Sequence, residues 1–273
     1  MLSNPAHLPT DQPRWRPDFP DCRVSVHASI GGELIIGPGS VIHDEVVLGD
    51  GSVIGECCVI GHRGPGGGGP LVIGSRSTIR SHSVLYAGSR FGAQLETGHH
   101  VVIRENTVAG ENLRVGNFND IEGHCTIGDF CRFHGYAHVG KGSRIGNFVW
   151  LFSLTTATND PMPPSIQAEP VTVHDGAVVC VGVTIMPGAV IGKGAFVSAG
   201  AVAKGNIPPG AVVVGPDARV VNHVSRLMHL PSGTCHPWMR HFEKGFPPEA
   251  RPRLQQLYTE IMENRLTLPI DSI

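Results

Sequence analysis

The sequence of 273 residues predicts a mainly β fold, a parallel β-helix whose short strands wind into a triangular prism. Three observations predict it. An aliphatic residue recurs at every sixth position over most of the chain, a small residue usually follows four positions later, and two segments without this period interrupt the pattern. Neither an amphipathic helix nor a single strand keeps a six-residue period over such a length.

The residue that recurs every six positions is called the repeat leader below. Each repeat is expected to form one short strand and one corner, and three repeats to form one coil. Residues 18 apart should then lie one above the other at the usual strand spacing of about 4.8 Å. The leaders are Val24, Ile30, Ile36, Ile42, Leu48, Ile54, Ile60, Ile73, Ile79, Leu85, Phe91, Thr97, Ile103, Ala109, Val115, Ile121, Ile127, Phe133, Val139, Ile145, Leu151, Val173, Val179, Ile185, Ile191 and Val197.

The small residue four positions after a leader should also point into the prism, so that bulky and small side chains alternate and fill a narrow core. Cysteines at these positions are expected to be packing residues rather than reactive thiols. Asn119 occupies such a position, and we expect it to form internal hydrogen bonds. The small residues are Ser40, Ser52, Cys58, Ser77, Ser83, Ser89, Cys125, Cys131, Ala137, Ser143, Ala177, Ala189, Ala195 and Ala201.

The pattern divides the chain into three parts. Residues 1–23 form a proline-rich lead-in, residues 24–220 form the prism with protruding loops at 62–72 and 157–172, and residues 221–273 form an extension with a helix near 248–266. We expect this helix to cover an open end of the prism or to contact another subunit, because an uncovered end exposes unpaired strand edges. Its apolar face is predicted to be Leu254, Leu257, Tyr258, Ile261, Met262 and Leu266.

Composition narrows the possible functions. A formal net charge of −2 gives no electrostatic reason to expect nucleic acid or an anionic membrane as partner. No segment approaches the ~20 apolar residues of a membrane span, and the start of the chain lacks the apolar run of a signal peptide. The seven cysteines form no CxxC pair. We therefore expect a cytoplasmic protein.

Two faces of the middle coils lose the glycine that usually follows a leader. On one face the residues after the leaders are Arg80, Gly98, Gly116, His134 and Phe152; on the other they are Tyr86, Arg104, Glu122 and Gly140. The adjoining corner carries two further rows, Ser81, His99, Asn117 and Gly135 beside His82, His100, Phe118 and Tyr136. His99 and His100 should thus lie at one corner, with Arg104 and Glu105 at the next corner of the same coil.

The repeats from residue 24 to about 220 resemble the hexapeptide-repeat acyltransferases, and this resemblance implies a left-handed β-helix. The segment "IMPGAVIGKGAFVSAGAVAKGNIPPGAVVVGPDARVV" resembles their acyl-CoA-binding coils. It implies acyl-CoA as co-substrate, acetyl or longer, with no permanently bound cofactor, and a homotrimer with active sites between subunits. Pantetheine would meet Gly182, Ala199 and Gly200, and the CoA phosphates would lie near Lys204 and Arg219.

A narrower resemblance lies in "SHSVLYAG", "TGHHVVIREN", "GNFNDIEGHCTIG" and "TNDPMPPS". These segments are similar to the branch that N-acylates amino-deoxy sugars carried on dTDP or UDP. The resemblance implies that His99, Arg104, Glu105, Asn159 and Asp160 lie near the acceptor. The prolines after "TND" and the loop "HRGPGGGGP" depart from that branch, so the sugar stays open.

The implied reaction is attack by a sugar amine on the thioester of acyl-CoA. We expect His99 to accept a proton from the amine or to orient it, and Glu105 to fix an imidazole or a sugar hydroxyl. A weaker version also fits, in which the amine binds already neutral, the leaving thiolate takes the proton and His99 only positions the acceptor. The other candidate substrate-binding residues are Ser81, Tyr86, His100, His134 and Tyr136.

Three alternatives remain. The acceptor could be a sugar hydroxyl, including transfer from acyl carrier protein onto a hydroxyl of a nucleotide sugar, which would make the protein an O-acyltransferase. A metal hydratase of the γ-class carbonic anhydrase type would use His99 or His100 with His134 and His138 as ligands. Because His134 follows one leader directly and His138 precedes the next, the two need not converge, and we expect no metal. A sugar-binding or scaffolding β-helix without catalysis is the third alternative.

Overall fold

The structure, a computed structural model, describes residues 15–66, 68–231, 233–235 and 244–263. Within them the chain winds into a left-handed parallel β-helix of three sheets with ten, ten and eleven strands, as predicted. The expectations for residues 1–14 and for Leu266 lie outside the described residues. No helix among the described residues is both long and apolar enough to cross a membrane.

Strands are numbered in chain order, and each of the first two sheets holds every third strand. Sheet 1 comprises β1 (Arg23–Val24), β4 (Val41–Ile42), β7 (Val59–His62), β10 (Val84–Tyr86), β13 (Val102–Ile103), β16 (Asp120–Ile121), β19 (His138–Val139), β22 (Thr156–Ala157), β25 (Thr184–Ile185) and β28 (Val202–Ala203). Sheet 2 comprises β2 (Ser29–Ile30), β5 (Val46–Leu48), β8 (Leu71–Ile73), β11 (Arg90–Phe91), β14 (Val108–Ala109), β17 (Thr126–Ile127), β20 (Arg144–Ile145), β23 (Thr172–Val173), β26 (Val190–Ile191) and β29 (Asn206–Ile207).

Sheet 3 ends in an antiparallel strand that closes the carboxyl-terminal side of the prism. It comprises β3 (Ile35–Ile36), β6 (Val53–Ile54), β9 (Thr78–Ile79), β12 (Glu96–Thr97), β15 (Arg114–Val115), β18 (Arg132–Phe133), β21 (Trp150–Leu151), β24 (Val178–Val179), β27 (Phe196–Val197), β30 (Ala211–Val214) and β31 (Arg219–His223). A 3₁₀ turn at Val224–Arg226 and a hairpin of β32 (Met228–His229) and β33 (Thr234–Cys235) follow.

The core has the predicted register. In the middle coils, parallel neighbours pair residues 18 apart, for example Glu96 with Arg114 and Val115 with Phe133. Apart from Ile30 and Ile36 near the start, which are half-buried, leaders and small residues are buried together. Small hydroxyls bond to corner carbonyls, as Ser40 Oγ does to Gly55 O at 2.7 Å. Asn119 is buried as expected and donates from Nδ2 to the carbonyls of Gly116 and His134, at 2.9 and 2.8 Å.

The predicted packing role of the core cysteines is also confirmed. Cys58, Cys125 and Cys131 are fully buried among the leaders. Burial raises the pKa of the Cys125 thiol to about 11 and that of the Cys131 thiol to about 12, because an apolar surrounding disfavours the thiolate.

Helix α1 (Arg251–Glu263) follows a 3₁₀ turn at Pro248–Ala250 and buries Leu254, Leu257 and Ile261. It packs on the side of the prism, along the corner between sheets 2 and 3, so the expectation that it covers an open end is wrong. Side-chain contacts along this corner explain the position of the helix. Phe130 and Phe148 turn outward at this corner and meet the helix. Further along, the corner changes to glycine, and Leu257 fits over Gly176 as Ile261 fits over Gly194.

Candidate functional site

A groove of about 890 Å³ runs across the outer face of sheet 3 in the middle coils. Its shape follows from two positions of the repeat. The residue before each leader points outward and forms the walls, whereas Gly98 and Gly116, just after two leaders, leave the floor without side chains. The lining residues are Arg80, Glu96, Gly98, His99, Arg114, Val115, Gly116, Asn117, Phe118, Arg132, Phe133, His134, Gly135, Tyr136, Trp150, Ser153 and Gly245.

His99 lies where sheet 3 turns into sheet 1, and its neighbours fix the exposed ring. Ser81 Oγ is 2.7 Å from Nδ1, and the backbone N–H of His99 donates to Asn117 Oδ1 at 2.8 Å. Among the described residues no side chain or backbone group bonds to Nε2. In the tautomer whose Nδ1–H donates to Ser81 Oγ, Nε2 carries the lone pair and faces the groove as a hydrogen-bond acceptor.

His100 and Tyr136 belong to an exposed row of rings beside His99. The rings of His82, His100, Phe118 and Tyr136 stack with centroids 4.8, 5.0 and 5.0 Å apart. All four residues have positive φ, which turns their side chains outward at the same corner. Tyr136 and Phe118 line the groove. This aromatic edge therefore forms one rim of the groove.

His134 lies in the groove wall, separated from Arg80 by the floor residues Gly98 and Gly116. Its ring centroid is 4.4 Å from that of Phe152 and 5.8 Å from that of Trp150. Burial lowers the pKa of His134, so the imidazole is neutral at neutral pH. The site thus holds a neutral aromatic group there rather than a cation.

Arg104 and Glu105 form a separate cluster at the next corner, between sheets 1 and 2. Glu105 is 2% exposed and accepts two hydrogen bonds from Arg104, from Nη2 at 2.8 Å and from Nε at 3.1 Å. Burial alone would raise the pKa of Glu105. Hydrogen bonds from its own backbone N–H and from the Arg104 guanidinium lower it by more, so the pKa lies below its usual value. Gly64, in the first protruding loop, packs close to this carboxylate, and the Arg104 guanidinium lies 6.0 Å from the Tyr86 ring.

Asn159 belongs to this second corner, three coils beyond Arg104. Its Nδ2 lies 3.4 Å from Glu122 Oε2 and 3.3 Å from Lys141 O. Asp160 folds the second loop, because its carboxylate accepts from the backbone N–H of Met162 and of Ser165, and the bond to Ser165 is the main cause of its lowered pKa. The predicted acceptor residues are thus split between two corners, and no contact among the described residues joins Glu105 to His99.

The residues predicted to meet pantetheine continue the His99 corner. Gly182 and Gly200 are exposed, have φ of 67° and 70°, and a side chain at either would meet nothing within 4 Å. The N–H of Gly200 bonds to Val181 O, and Ala199 is exposed beside it. Lys204 is exposed and pairs with Asp217 at 3.0 Å, and Arg219 is exposed on the closing strand.

Sequence reasoning missed two arginines in the groove wall. Arg132 is 5% exposed, and its guanidinium donates to the backbone carbonyls of Asn112 and Gly245 and to Asn112 Oδ1. Burial lowers its pKa to about 10. Arg114 is half exposed and pairs with Glu96 at 3.2 Å. The sequence could have indicated these two arginines, because they share an outward row, with 18-residue spacing, that comprises Glu96, Arg114, Arg132 and Trp150.

The histidines proposed as metal ligands do not converge. His138 Nδ1 pairs with Asp120 at 3.4 Å, whereas His134 packs against rings of the groove wall. Across the described part of the chain, no group of three or more His, Cys, Asp or Glu side chains could hold a metal ion.

The chain was compared with known proteins. The family model "Bacterial transferase hexapeptide (six repeats)" matches residues 27–62, and no curated protein matches. Among solved structures, a UDP-N-acetylglucosamine acyltransferase from Arabidopsis aligns over 92% of this chain and 85% of its own, at 19% identity and a TM-score of 0.48. LpxA from Acinetobacter baumannii aligns over 90% and 84%, at 18% identity and a TM-score of 0.38.

A putative acetyltransferase from Bacillus cereus aligns over 89% of this chain and 88% of its own, at 17% identity and a TM-score of 0.19. None of these likenesses, at such low identity and TM-score, identifies a substrate. The six-residue period, the three parallel sheets and the matched repeat model have one common explanation. The chain has the left-handed β-helix fold, and its residues 27–62 carry the hexapeptide repeats of the matched family model.

Proposed function

We propose that the protein is an acyl-CoA-dependent N-acyltransferase that acylates the amine of an amino-deoxy sugar linked to dTDP or UDP. One observation carries the proposal. His99 lines the groove with Nδ1 at hydrogen-bond distance from Ser81 Oγ and with Nε2 unbonded within the described residues. A held imidazole with a free ring nitrogen on an open groove is the arrangement that proton transfer from a bound nucleophile requires.

The chemistry follows from that nitrogen. The amine nitrogen of the acceptor attacks the thioester carbonyl, and its proton passes to His99 Nε2 as the new amide bond forms. The carbon–sulfur bond then breaks, and the CoA thiolate leaves and takes that proton from His99, which returns to its neutral form. Because an amine in water is mostly protonated, partial burial in the groove favours the neutral, nucleophilic form.

The corner that carries His99 also suits the donor. Four coils separate His99 from Val181 beside Gly182, a distance of about 19 Å at the usual strand spacing. An extended pantetheine arm along this corner would pass the open glycines and bring the thioester to His99. The phosphates of CoA would then lie toward Lys204 and Arg219.

A homotrimer completes the proposal. Glu105 and Asn159 lie on the corner next to that of His99, so one subunit does not bring the predicted acceptor residues together. An assembly in which the second corner of one subunit faces the His99 corner of its neighbour would do so. The Arg104–Glu105 pair would then form part of the wall of a site between subunits.

Thiol release from acetyl-CoA and longer acyl-CoAs, in the presence of dTDP- and UDP-linked 3- and 4-amino sugars, tests the proposal. We expect turnover with one amino sugar, and a loss of at least ~100-fold in kcat in His99→Asn, the usual scale of general-base catalysis. His27→Asn, an exposed histidine near the first coil, is the matched control and should leave kcat unchanged.

Each alternative result has a distinct meaning. Turnover only with the corresponding hydroxy sugar would replace the N-acyltransferase by an O-acyltransferase. Full turnover in His99→Asn would remove the base and leave His99 a positioning role. Absence of thiol release with every acceptor would refute the proposed function.

A further inference from the structure

We propose that the groove on sheet 3 binds a nucleoside diphosphate, with Arg80, Arg114 and Arg132 on the diphosphate and Trp150 against the base. The proposal rests on the proposed function, since it assigns the groove to the nucleotide part of the acceptor. It goes further by naming the residues that would recognise that part.

The charge of the groove is the first argument. Three guanidinium groups and one carboxylate, that of Glu96, are the charged groups among the described lining residues, which gives a local net charge of +2. The whole chain has a formal net charge of −2. Glu96 is shared, because Arg80 Nη2 approaches one of its oxygens at 2.8 Å and Arg114 Nε the other at 3.2 Å. Two positive charges therefore remain without a carboxylate, as a doubly charged anion requires.

The burial of Arg132 is the second argument. Its guanidinium makes hydrogen bonds only to neutral oxygens, and Nε is buried without a bonding partner among the described residues. Within the described part of the chain, Arg132 is 5% exposed and pairs with no carboxylate, and a buried charge without a counter-ion is costly. A phosphate bound in the groove would supply the missing charge, and Nε–H is the one guanidinium donor of Arg132 that has no hydrogen bond among the described residues.

The shape of the groove is the third argument. Arg80 and His134 occupy the same repeat position three coils apart, about 14 Å at the usual strand spacing. Gly98 and Gly116 fill the two positions between them, and a methyl group at either would lie within 2.7 Å of backbone atoms of the next coil. The floor between the two side chains is therefore kept empty.

The aromatic end of the groove is the fourth argument. Trp150 follows Arg132 in the outward row, and its ring lies 5.8 Å from both His134 and Phe152. Aromatic faces bind nucleobases by stacking. The order along the sheet is thus cations and then rings, which matches the order of phosphates and base in a nucleotide.

Isothermal titration calorimetry of the full chain with UDP, dTDP and CoA, each alone, tests the inference without any turnover. We expect UDP or dTDP to bind, and Arg114→Met to weaken binding by about 10-fold or more, the usual cost of one charge-assisted hydrogen bond. Arg144→Met is the matched control, because Arg144 is exposed at the same strand position on sheet 2. Arg132→Met should also weaken nucleotide binding, but the buried hydrogen bonds of Arg132 support the fold as well. The result for Arg114→Met therefore decides the test.

The outcomes separate the two proposals. If neither nucleotide binds, or if Arg114→Met binds as tightly as the wild type, the inference is overturned, even where thiol release still depends on His99. If CoA is the ligand that Arg114→Met loses, the groove belongs to the donor, which overturns it as well. Nucleotide binding that depends on Arg114 supports the inference even if no acyl-CoA is turned over, a result that would refute the proposed function alone.

Discussion

Replacing Gly116 by alanine tests whether contact between coils forces glycine into the groove floor. A Cβ at this position would lie 2.6 Å from Gly135 N and 2.7 Å from the His134 carbonyl carbon, both backbone atoms. Ordinary contacts need about 3.5–4.0 Å, so the next coil must move by roughly 1 Å. That movement would stretch the bond from Gly116 N to Phe133 O, which is 2.7 Å long.

Overpacking of this kind costs about 1–3 kcal/mol in the free energy of unfolding. For a chain of this size, 1 kcal/mol lowers the thermal midpoint by about 2–4 °C, so Gly116→Ala should lower it by roughly 2–12 °C.

The matched control is Gly32→Ala. Its nearest neighbour, Asp50 Oδ1, would lie 4.0 Å from the new Cβ, and its φ is outside the left-handed region. A compatible glycine-to-alanine change stabilises by about 0.4–1 kcal/mol through the unfolded chain, so the two variants should shift the midpoint in opposite directions. Circular dichroism during heating measures both. A Gly116→Ala midpoint equal to or above that of Gly32→Ala would refute the steric argument.

Three further predictions concern His138, Leu257 and the cysteines. The hydrogen bond to Asp120 raises the pKa of His138, so this pair should stabilise the fold below about pH 6.5 and lose its contribution as pH rises through the raised pKa. NMR titration should show a lower pKa for His138 in Asp120→Asn, and an unchanged value would contradict the pairing. Leu257→Ala should weaken helix docking by about 2–5 kcal/mol, seen as faster hydrogen exchange in 251–263 but not in the coils. Cys57 is exposed and should react with a thiol reagent in the native state, whereas Cys125 and Cys131, with pKa values raised by burial, should react only after unfolding, as peptide mass spectrometry would show.

The period alone was enough to predict the three sheets and their pairing, because only one register buries every leader. It could also place Asn119, since the inward position is defined by the repeat. The position of helix α1 could not be derived, because it depends on Phe130 and Phe148 meeting residues more than a hundred positions away.

The candidate site was predicted in part, at its corners. Arg104 stood out because it replaces the glycine that usually follows a leader, and His99 because it lies in the segment "TGHHVVIREN". Arg114 and Arg132 did not, because an outward charged residue on a strand is ordinarily solvated. The structure shows that Arg132 is covered by the segment around Gly245 and Phe246.

The stacking of coils also limits how such a protein can change during evolution. Side chains along one corner are separated by whole multiples of about 4.8 Å, because every coil adds one strand to each sheet. Duplicating or deleting a coil would lengthen or shorten the distance between His99 and Gly182 by one such step and leave each local environment intact. Finer adjustment has to come from residues outside the period, such as those between β7 and β8 and between β22 and β23, where a change of sequence would leave the coils intact.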